Sequence, residues 1–394
     1  MPTAPAVPPE RNPLIVLCVI AALLLMYATL WPFNPHPHND VSWLPDANGI
    51  RFGGTGIVWT EGALKPAPSS SARDACAIEM CLFPVTRDDS GNFLTFSSEE
   101  NLDAVFLRQW RESLLIYKSK PQSVRGPKLV DFEVDGVLRV KRLVFVTISS
   151  GDQGTTVYAD GKLASSNPHF RIHLADLYRN VVLGTSPSNF EVWHGEIRGL
   201  VIYNQEISPE QAATHYARWT NGSASLPANA EDASEDASHV LARYDFSERN
   251  GKIIRNAVDS APPLTIPANF SVPSKPLLAS PIDEFQWDPS WRRDVIENIL
   301  GFMPFGFVLC GLFALSRPRG QAILMATFVG GLLSFSVEFL QYYIPRRDSS
   351  LTDVISNTTG SLLGALIAHP SLVRAALRLV FLIPPKRKSE ANQI

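Results

Sequence analysis

The stretch from Asn298 to Gly364 constrains this chain most, because it places polar residues within three long apolar runs. In hydrocarbon a carboxylate or an amide needs a partner, so such groups usually face a protein interior or a cavity. Two polar stripes have helical spacing: Ser334, Glu338 and Gln341 in one run, and Asp353, Asn357, Gly360 and Gly364 in the next. Since each stripe occupies one face of a helix, we expect the two stripes to meet at one membrane depth.

A polar site is predicted where these stripes meet two neighbouring segments. The first segment is a third helix, which carries an amide side chain, and the second is a loop with two arginines. The predicted binding residues are Asn298, Glu338, Gln341, Arg346, Arg347, Asp353 and Asn357. If the site is catalytic, Glu338 and Asp353 are the candidate acid and base.

Structural explanations compete with a site role at several of these positions. Asp353 lies three residues after Ser350, as in a helix capping box, and Glu338 can form an ion pair with a loop arginine. The amide side chains can join helices by hydrogen bonds worth about 0.6–2 kcal/mol each. The Gly360-x3-Gly364 motif is typical of close helix packing.

These residues resemble the motifs of the VanZ-like family of membrane proteins. The matching pieces are Asn298-x5-Pro304-Phe305-Gly306, Val337-Glu338-Phe339-Leu340-Gln341, Arg346 or Arg347, Asp353-Val354-Ile355-x-Asn357 and Gly360-x3-Gly364. Residues 27–33, YATLWPF, resemble the end of the family's first helix. The resemblance implies a small helical membrane unit and a link to glycopeptide (teicoplanin-type) resistance, whose mechanism it does not define.

The apolar runs predict an α-helical bundle of about four transmembrane helices. Leu14 to Trp31 is long enough to cross a bilayer, and no A-x-A cleavage site follows it, so an uncleaved anchor is favoured over a signal peptide. Three further spans are predicted near residues 294–315, 320–343 and 351–368. The segment 371–383 is predicted to be an amphipathic surface helix, with a fifth span as the alternative.

Charge bias orients this predicted topology in the plasma (inner) membrane with both termini cytoplasmic. Eight basic residues then lie inside: Arg11, Arg317, Arg319, Arg374, Arg378, Lys386, Arg387 and Lys388. Four lie outside near the spans: Arg292, Arg293, Arg346 and Arg347. This orientation makes the long middle of the chain extracytoplasmic.

The middle of the chain predicts an all-β jelly-roll sandwich inserted between helices one and two. Five short β-branched or aromatic runs read as strands: 75–85, 114–118, 143–149, 155–159 and 197–203. Asp160-Gly161 predicts a hairpin turn, and with Val157-Tyr158-Ala159 and Lys162 it resembles the laminin-G (LamG) or concanavalin-like family. Further resembling pieces are 77–80 with Pro84, 143–147, 193–197, 201–204 and 207–211.

One piece of this resemblance is out of order. Residues 242–246, ARYDF, followed by Asn250-Gly251, look like an opening strand but come after the closing one. Because about 40 residues cannot build a second sandwich, residues 241–270 are predicted to complete the first.

The predicted divisions of the chain are a disordered segment 1–13, a first helix 14–33, a sandwich 34–291 with an acidic linker 221–238, helices 292–369, and a cytoplasmic amphipathic helix with basic tail 370–394.

Composition narrows the partners further. The net charge of −3 and the lack of a basic cluster argue against nucleic acid. Cys76 and Cys81 point to opposite faces of one strand, so free buried thiols are expected. No cofactor is expected. Calcium in the jelly roll has no residue pattern to support it, since Asp160 reads as a turn residue and His173, His194 and His215 lack metal-ligand spacing.

The sequence is compatible with three functional classes. It does not predict the oligomeric state. A binding protein is favoured, whose jelly roll recognises a glycan or protein and whose bundle recognises a lipid or lipid-linked envelope component. A membrane-embedded enzyme acting on such a lipid is the alternative, although the sequence has no nucleophile elbow, metal-ligand set or phosphate loop. A transporter is least favoured, because four spans without an inverted repeat would have to oligomerise.

Overall fold

The computed structural model describes residues 10–66, 74–87, 90–119, 129–187, 191–221, 239–272, 275–284 and 289–381. The chain divides into two compact units. One unit comprises the two ends of the chain, up to Pro35 and from Pro276, and is helical. The other, from His36 to Lys275, is a β-sandwich with two helices among its described residues. The predicted fold class, a helical unit interrupted by an all-β sandwich, is confirmed.

Two antiparallel sheets form the sandwich, with strands numbered in chain order. The first sheet has the spatial order β1 (Val41–Trp43), β2 (Ile50–Phe52), β13 (Gly195–Tyr203), β4 (Cys76–Pro84), β9 (Val144–Gly151), β10 (Gly154–Ala159) and β11 (Lys162–Asn167), with β14 (Val240–Tyr244) paired to β13. The second has the order β15 (Ile253–Ile254), β16 (Leu264–Thr265), β3 (Val58–Thr60), β12 (Asn180–Leu183), β5 (Asn92–Ser97), β6 (Val105–Trp110), β7 (Ser113–Ser119) and β8 (Leu129–Val134).

The segment after residue 240 completes this sandwich, as predicted. Strand β14 pairs with β13, with Leu200 opposite Tyr244. Strand β16 pairs with β3 in the other sheet, with Leu264 opposite Thr60. Tyr244 and Leu264 are fully buried in the main core. The late segment therefore contributes one strand to the first sheet and two to the second. The predicted acidic linker lies outside the described residues, apart from Asn221, which ends a helix.

All five predicted strands exist, as β4, β7, β9, β10 and β13. The hairpin turn is also confirmed, since Asp160 and Gly161 join β10 to β11 with φ of 51° and 71°. Trp193 is fully buried between the sheets, and Trp219 is 4 % exposed. Both tryptophans are core residues, as the sequence favoured.

The cysteines of β4 show the alternation of the strand. Cys76 contributes to the core between the sheets, while Cys81 faces the opposite side, beneath the helix α3 (Pro209–Asn221). All four cysteines are free and buried. Burial raises the pKa of the Cys76 and Cys81 thiols above the usual value, so both stay protonated at neutral pH.

The sandwich carries a short helix, α2 (Leu174–Leu177), besides α3. The other unit contains α1 (Arg11–Leu30), α4 (Pro281–Glu284), α5 (Pro289–Phe313), α6 (Arg319–Tyr342), α7 (Leu351–Ile367) and α8 (Pro370–Phe381). Helices α1, α5 and α6 are long and apolar enough to cross a membrane, and α7 with α8 adds a fourth if they count as one segment broken by a 102° bend. Helix α7 alone extends about 26 Å and the described part of α8 about 18 Å, so the described part of α8 is too short to cross a bilayer by itself.

Two predicted boundaries need correction. Helix α1 starts at Arg11, three residues before the predicted start at residue 14. Pro13 does not prevent this, because proline is tolerated in the first turn of a helix. Residues 1–9 lie outside the described part. The sandwich ends at Lys275 rather than at residue 291. Beyond it the chain packs with the helical unit, where Ala279 forms a parallel bridge with Ser350. Of the predicted tail, residues 382–394 lie outside the described part.

Polarity in the helical unit is inverted relative to a soluble protein. Large apolar side chains on α1 and α6 are exposed, including Leu24 at 63 % and Leu324 at 71 %. Polar side chains of α6 and α7 are instead buried, including Glu338 at 2 % and Asn357 at 3 %. Because lipid solvates apolar side chains and not amides or carboxylates, this arrangement fits a membrane protein.

Candidate functional site

The N-terminus of α7 is where the polar side chains of three helices meet. Ser350 is the N-cap residue, and its hydroxyl accepts a hydrogen bond from the backbone N–H of Asp353 at 3.3 Å. The backbone N–H of Ser350 donates to Glu338 Oε2 of α6 at 2.9 Å. Asn298 Nδ2 of α5 donates to Asp353 Oδ1 at 2.8 Å. One chain of hydrogen bonds therefore runs Glu338–Ser350–Asp353–Asn298, and we call it the α7 cap network.

Local sequence explains part of this network. A serine at the N-cap satisfies one of the amides that a helix start leaves unpaired. The residue at the third position, Asp353, places a carboxylate near the positive end of the helix dipole. A capping box would aim that carboxylate at the N-cap amide, but here the Ser350 N–H donates to Glu338, from another helix. The Asp353 carboxylate accepts a hydrogen bond from α5.

A strand-like backbone pairing between the segment before α5 and the loop before α7 also holds the start of α7 in place. The backbone N–H of Ala279 donates to the carbonyl of Ser349 at 2.7 Å, and that of Leu351 donates to the carbonyl of Ala279 at 3.1 Å. The Ser349 hydroxyl accepts from the Leu278 N–H at 3.2 Å. The segment before α5 thus fixes the loop that starts α7. No sequence pattern indicated this pairing.

The two helical stripes continue to a second polar level, deeper in the bundle. Asn357 Nδ2 of α7 donates to the Ser334 hydroxyl of α6 at 2.9 Å. The Asn357 Oδ1 atom and the Ser361 hydroxyl are buried and have no hydrogen-bond partner among the described residues. Ser361 lies against Gly330, where a Cβ would overlap its hydroxyl. Within the described part of the chain, this level joins α6 to α7 by close packing and one side-chain hydrogen bond.

Glycines bring the backbones of α5 and α7 into contact. A Cβ at Gly360 would overlap the carbonyl oxygen of Ile299, and one at Gly364 would overlap the carbonyl oxygen of Met303. On α5, a Cβ at Gly306 would meet the carbonyl of Ser361. These approaches place Asn298 within reach of Asp353. The family-like glycines are therefore packing residues that position the polar ones.

The remaining predicted site residues do not join the cap network by any described hydrogen bond. Gln341 Nε2 donates to the carbonyl of Thr29 at 3.0 Å, and an Arg347 guanidinium nitrogen donates to the carbonyl of Trp31 at 2.8 Å. Both carbonyls belong to the end of α1, where a helix lacks internal partners. Arg346 is exposed. The structure thus joins Asn298, Glu338 and Asp353, pairs Asn357 with Ser334, and assigns Gln341 and Arg347 to the end of α1.

The β-sandwich has its own buried charged group. Glu79 of β4 is 1 % exposed and lies beneath α3. Its carboxylate accepts from the Thr147 hydroxyl at 3.0 Å and the Tyr203 hydroxyl at 2.9 Å, and lies 3.0 Å from His215 Nδ1 of α3. This cluster fastens α3 to the sheet.

His173 and Asp160, for which no metal-ligand pattern is present in the sequence, are also engaged by protein groups. His173 pairs with Asp74 at 2.6 Å, and Asp160 pairs with Arg142 at 3.0 Å. Across the described ranges, no group of three His, Cys, Asp or Glu side chains could hold a metal ion.

These features define a helical membrane-type unit interrupted by a two-sheet sandwich. Residues 247–374 match the family model described as VanZ/LLP1, and residues 87–213 match that of the concanavalin A-like lectin/glucanases superfamily. These two segments are therefore similar to a VanZ-like unit and to a laminin-G-like domain, respectively.

Among solved structures the likeness is remote. A proposed carbohydrate binding protein from Bacteroides ovatus has a TM-score of 0.36 at 11% identity, over 60% of this chain and 62% of that chain. The receptor binding domain of botulinum neurotoxin D has a TM-score of 0.34 at 16% identity, over 45% of this chain and 46% of that chain. The chain thus spans less than two thirds of each. No curated protein sequence matches it.

Proposed function

We propose that this chain is a multi-pass plasma-membrane protein of the cell envelope that binds its ligands without chemical change. In the proposal, the sandwich is extracytoplasmic and binds an envelope glycan or protein. The helical unit recognises the anionic headgroup of a lipid or lipid-linked envelope component in the outer leaflet. A link to teicoplanin-type glycopeptide resistance belongs to the proposal through the family resemblance alone.

The topology follows from the order of the spans. With a cytoplasmic N-terminus, α1 leads outward, the sandwich lies outside, α5 returns, and α6 leads outward again. The loop between α6 and α7, residues 343–350, then lies on the same side of the membrane as the sandwich. The basic residues at the other ends of the spans support this orientation.

The observation that carries the lipid site is the α7 cap network beside an exposed arginine. The network fixes the loop between α6 and α7 from three helices, and Arg346 in that loop is exposed. A guanidinium can bind a phosphate with two parallel hydrogen bonds. Arg347 donates to the Trp31 carbonyl through one of its five N–H groups. Arg346 is therefore the principal proposed phosphate contact, and the buried groups position it.

A membrane-embedded enzyme acting on a lipid-linked envelope substrate is the second candidate. This candidate is favoured because Ser350 links two residues that carry carboxylates. The backbone N–H of Ser350 donates to the Glu338 carboxylate, and the backbone N–H of Asp353 donates to the Ser350 hydroxyl. Against it, Glu338 is buried and already accepts a backbone hydrogen bond. A general acid or base needs contact with the substrate's proton, so the binding function is the better supported.

The lipid site predicts a ligand-dependent thermal stability. A ligand that binds only the folded state at 100 times its Kd stabilises it by about 2.7 kcal/mol. Phosphatidylglycerol or a polyprenyl phosphate should therefore raise the unfolding midpoint of the detergent-purified chain by several degrees, whereas phosphatidylcholine should not. The Arg346→Gln variant should lose most of this rise. Its matched control is Arg317→Gln, because Arg317 is also exposed but lies between α5 and α6.

Two outcomes would count against the lipid site. An equal rise in both variants would remove Arg346 from it, and the absence of a rise with every anionic lipid would reject the lipid-binding function. In the second case the buried polar groups would be retained only for packing.

A further inference from the structure

A cavity of about 370 Å³ opens at one edge of the sandwich. Its walls come from the connection between β8 and β9, the hairpin of β10 and β11, and helix α3. This volume lies within the usual range for small-ligand pockets. The residues that give it chemical character are Arg139, Arg142, Lys162, Asp135, Asp160 and Tyr216.

Only some of the charged side chains in this cavity form ion pairs. Asp160 forms an ion pair with Arg142 at 3.0 Å and accepts the Phe145 N–H at 3.0 Å. Asp135 accepts a hydrogen bond from the Ser113 hydroxyl at 2.8 Å. Arg139 and Lys162 are both exposed, and neither forms an ion pair with any described residue. The cavity therefore presents two cations and one carboxylate, Asp135, without a described ion pair, beside the matched pair of Arg142 and Asp160, so its net charge is positive.

An aromatic ring also lines this cavity. Tyr216 of α3 is half-buried, and its ring centroid lies 6.3 Å from that of Phe145. Gly161, with φ of 71°, lets the hairpin approach the Tyr216 side chain, because a Cβ there would lie 3.1 Å from Tyr216 Cβ. An aromatic face packs against the C–H groups of a ligand, while its hydroxyl forms hydrogen bonds.

We propose that this cavity binds an acidic saccharide, with Arg139 and Lys162 contacting its anionic group and Tyr216 its ring. The inference rests on the proposed glycan-binding function of the sandwich and specifies the class of glycan. The shared chemistry is a negative charge on a sugar-containing polymer, which a uronic acid or a phosphodiester can supply. Charge-assisted hydrogen bonds from Arg and Lys suit both groups.

The test measures binding to the full-length chain in detergent by calorimetry. The probes are trigalacturonic acid, a phosphorylated trisaccharide, and a neutral galacto-oligosaccharide of the same length as the first. The double variant Arg139→Gln, Lys162→Gln removes both cations. A matched control is Lys252→Gln, Arg255→Gln, which removes the same two charge types from exposed positions that do not line the cavity.

We expect at least one acidic probe to bind, with an affinity that falls at least tenfold in the cavity variant and is unchanged in the control. The probe that binds identifies carboxylate or phosphate as the recognised group. Equal affinities in both variants, or binding of the neutral probe alone, would overturn this inference while glycan binding stands. If none of the three probes binds, the inference is overturned, and the proposed function of the sandwich then depends on another glycan or on a protein ligand.

Discussion

The Gly364→Leu variant is expected to leave the helical unit unable to fold. The Cβ of any residue at this position would overlap the carbonyl oxygen of Met303. That oxygen belongs to the backbone of α5 and cannot rotate away, so α5 and α7 would have to separate. Overpacking of a side-chain core costs about 1–3 kcal/mol, and displacing a helix costs more. Separation would also remove Asn298 from Asp353.

We test this prediction by measuring the yield of monodisperse, detergent-extracted protein and its unfolding midpoint. The matched control is Gly301→Leu on α5, because a Cβ at Gly301 would meet nothing within 4 Å. We expect normal yield for the control and a severe loss for Gly364→Leu. If the two variants behaved alike, the close approach of α5 and α7 would be wrong.

The Glu338→Ala variant is expected to be the second most damaging. It removes the acceptor of the Ser350 N–H, which the structure buries among helix ends. An unsatisfied buried donor costs about 1–3 kcal/mol, and the lost side-chain packing adds to this. The Glu338→Gln variant keeps a side-chain oxygen at the same position, so its unfolding midpoint should remain near that of the unmodified chain.

The contrast between these substitutions separates the roles of the carboxylate. As a control, Glu297→Ala removes an exposed glutamate paired with Arg293, and such pairs contribute little. If Glu338→Gln unfolds as readily as Glu338→Ala, the α7 cap network needs the charge and our hydrogen-bond account is wrong. If Glu338→Gln is stable but abolishes a measured cellular function, the enzyme alternative gains support over binding.

The sandwich was largely readable from the sequence because its signals are local. Short β-branched or aromatic runs identified strands, and Asp160-Gly161 identified a turn that has positive φ at both positions. The out-of-order strand at 240–244 was assigned by an argument from size, which the pairing of Leu200 with Tyr244 bears out. The end of the sandwich was misplaced because the bridge between Ala279 and Ser350 leaves no periodic pattern.

The polar site was only partly readable, for a different physical reason. Helical spacing predicted that Glu338 and Asp353 would face protein, but the Ser350 amide that Glu338 contacts depends on the loop conformation. Orphan carbonyls at the end of α1 required partners, yet nothing local indicated Gln341, more than 300 residues away. Arg346 and Arg347 are adjacent and chemically identical, so only tertiary structure separates the exposed one from the one that contacts Trp31. A ligand role for these residues remains a prediction.

In the proposed topology, the sandwich and the loop between α6 and α7 both face the outside of the membrane. Single cysteines at Ala217, Arg346 and Ser316 can report this, because all three positions are exposed and the native cysteines are buried. With a membrane-impermeant maleimide on right-side-out vesicles, we expect labelling at positions 217 and 346. Position 316 should react only after permeabilisation. Labelling of position 316 in sealed vesicles, or protection of either of the other two, would contradict the account.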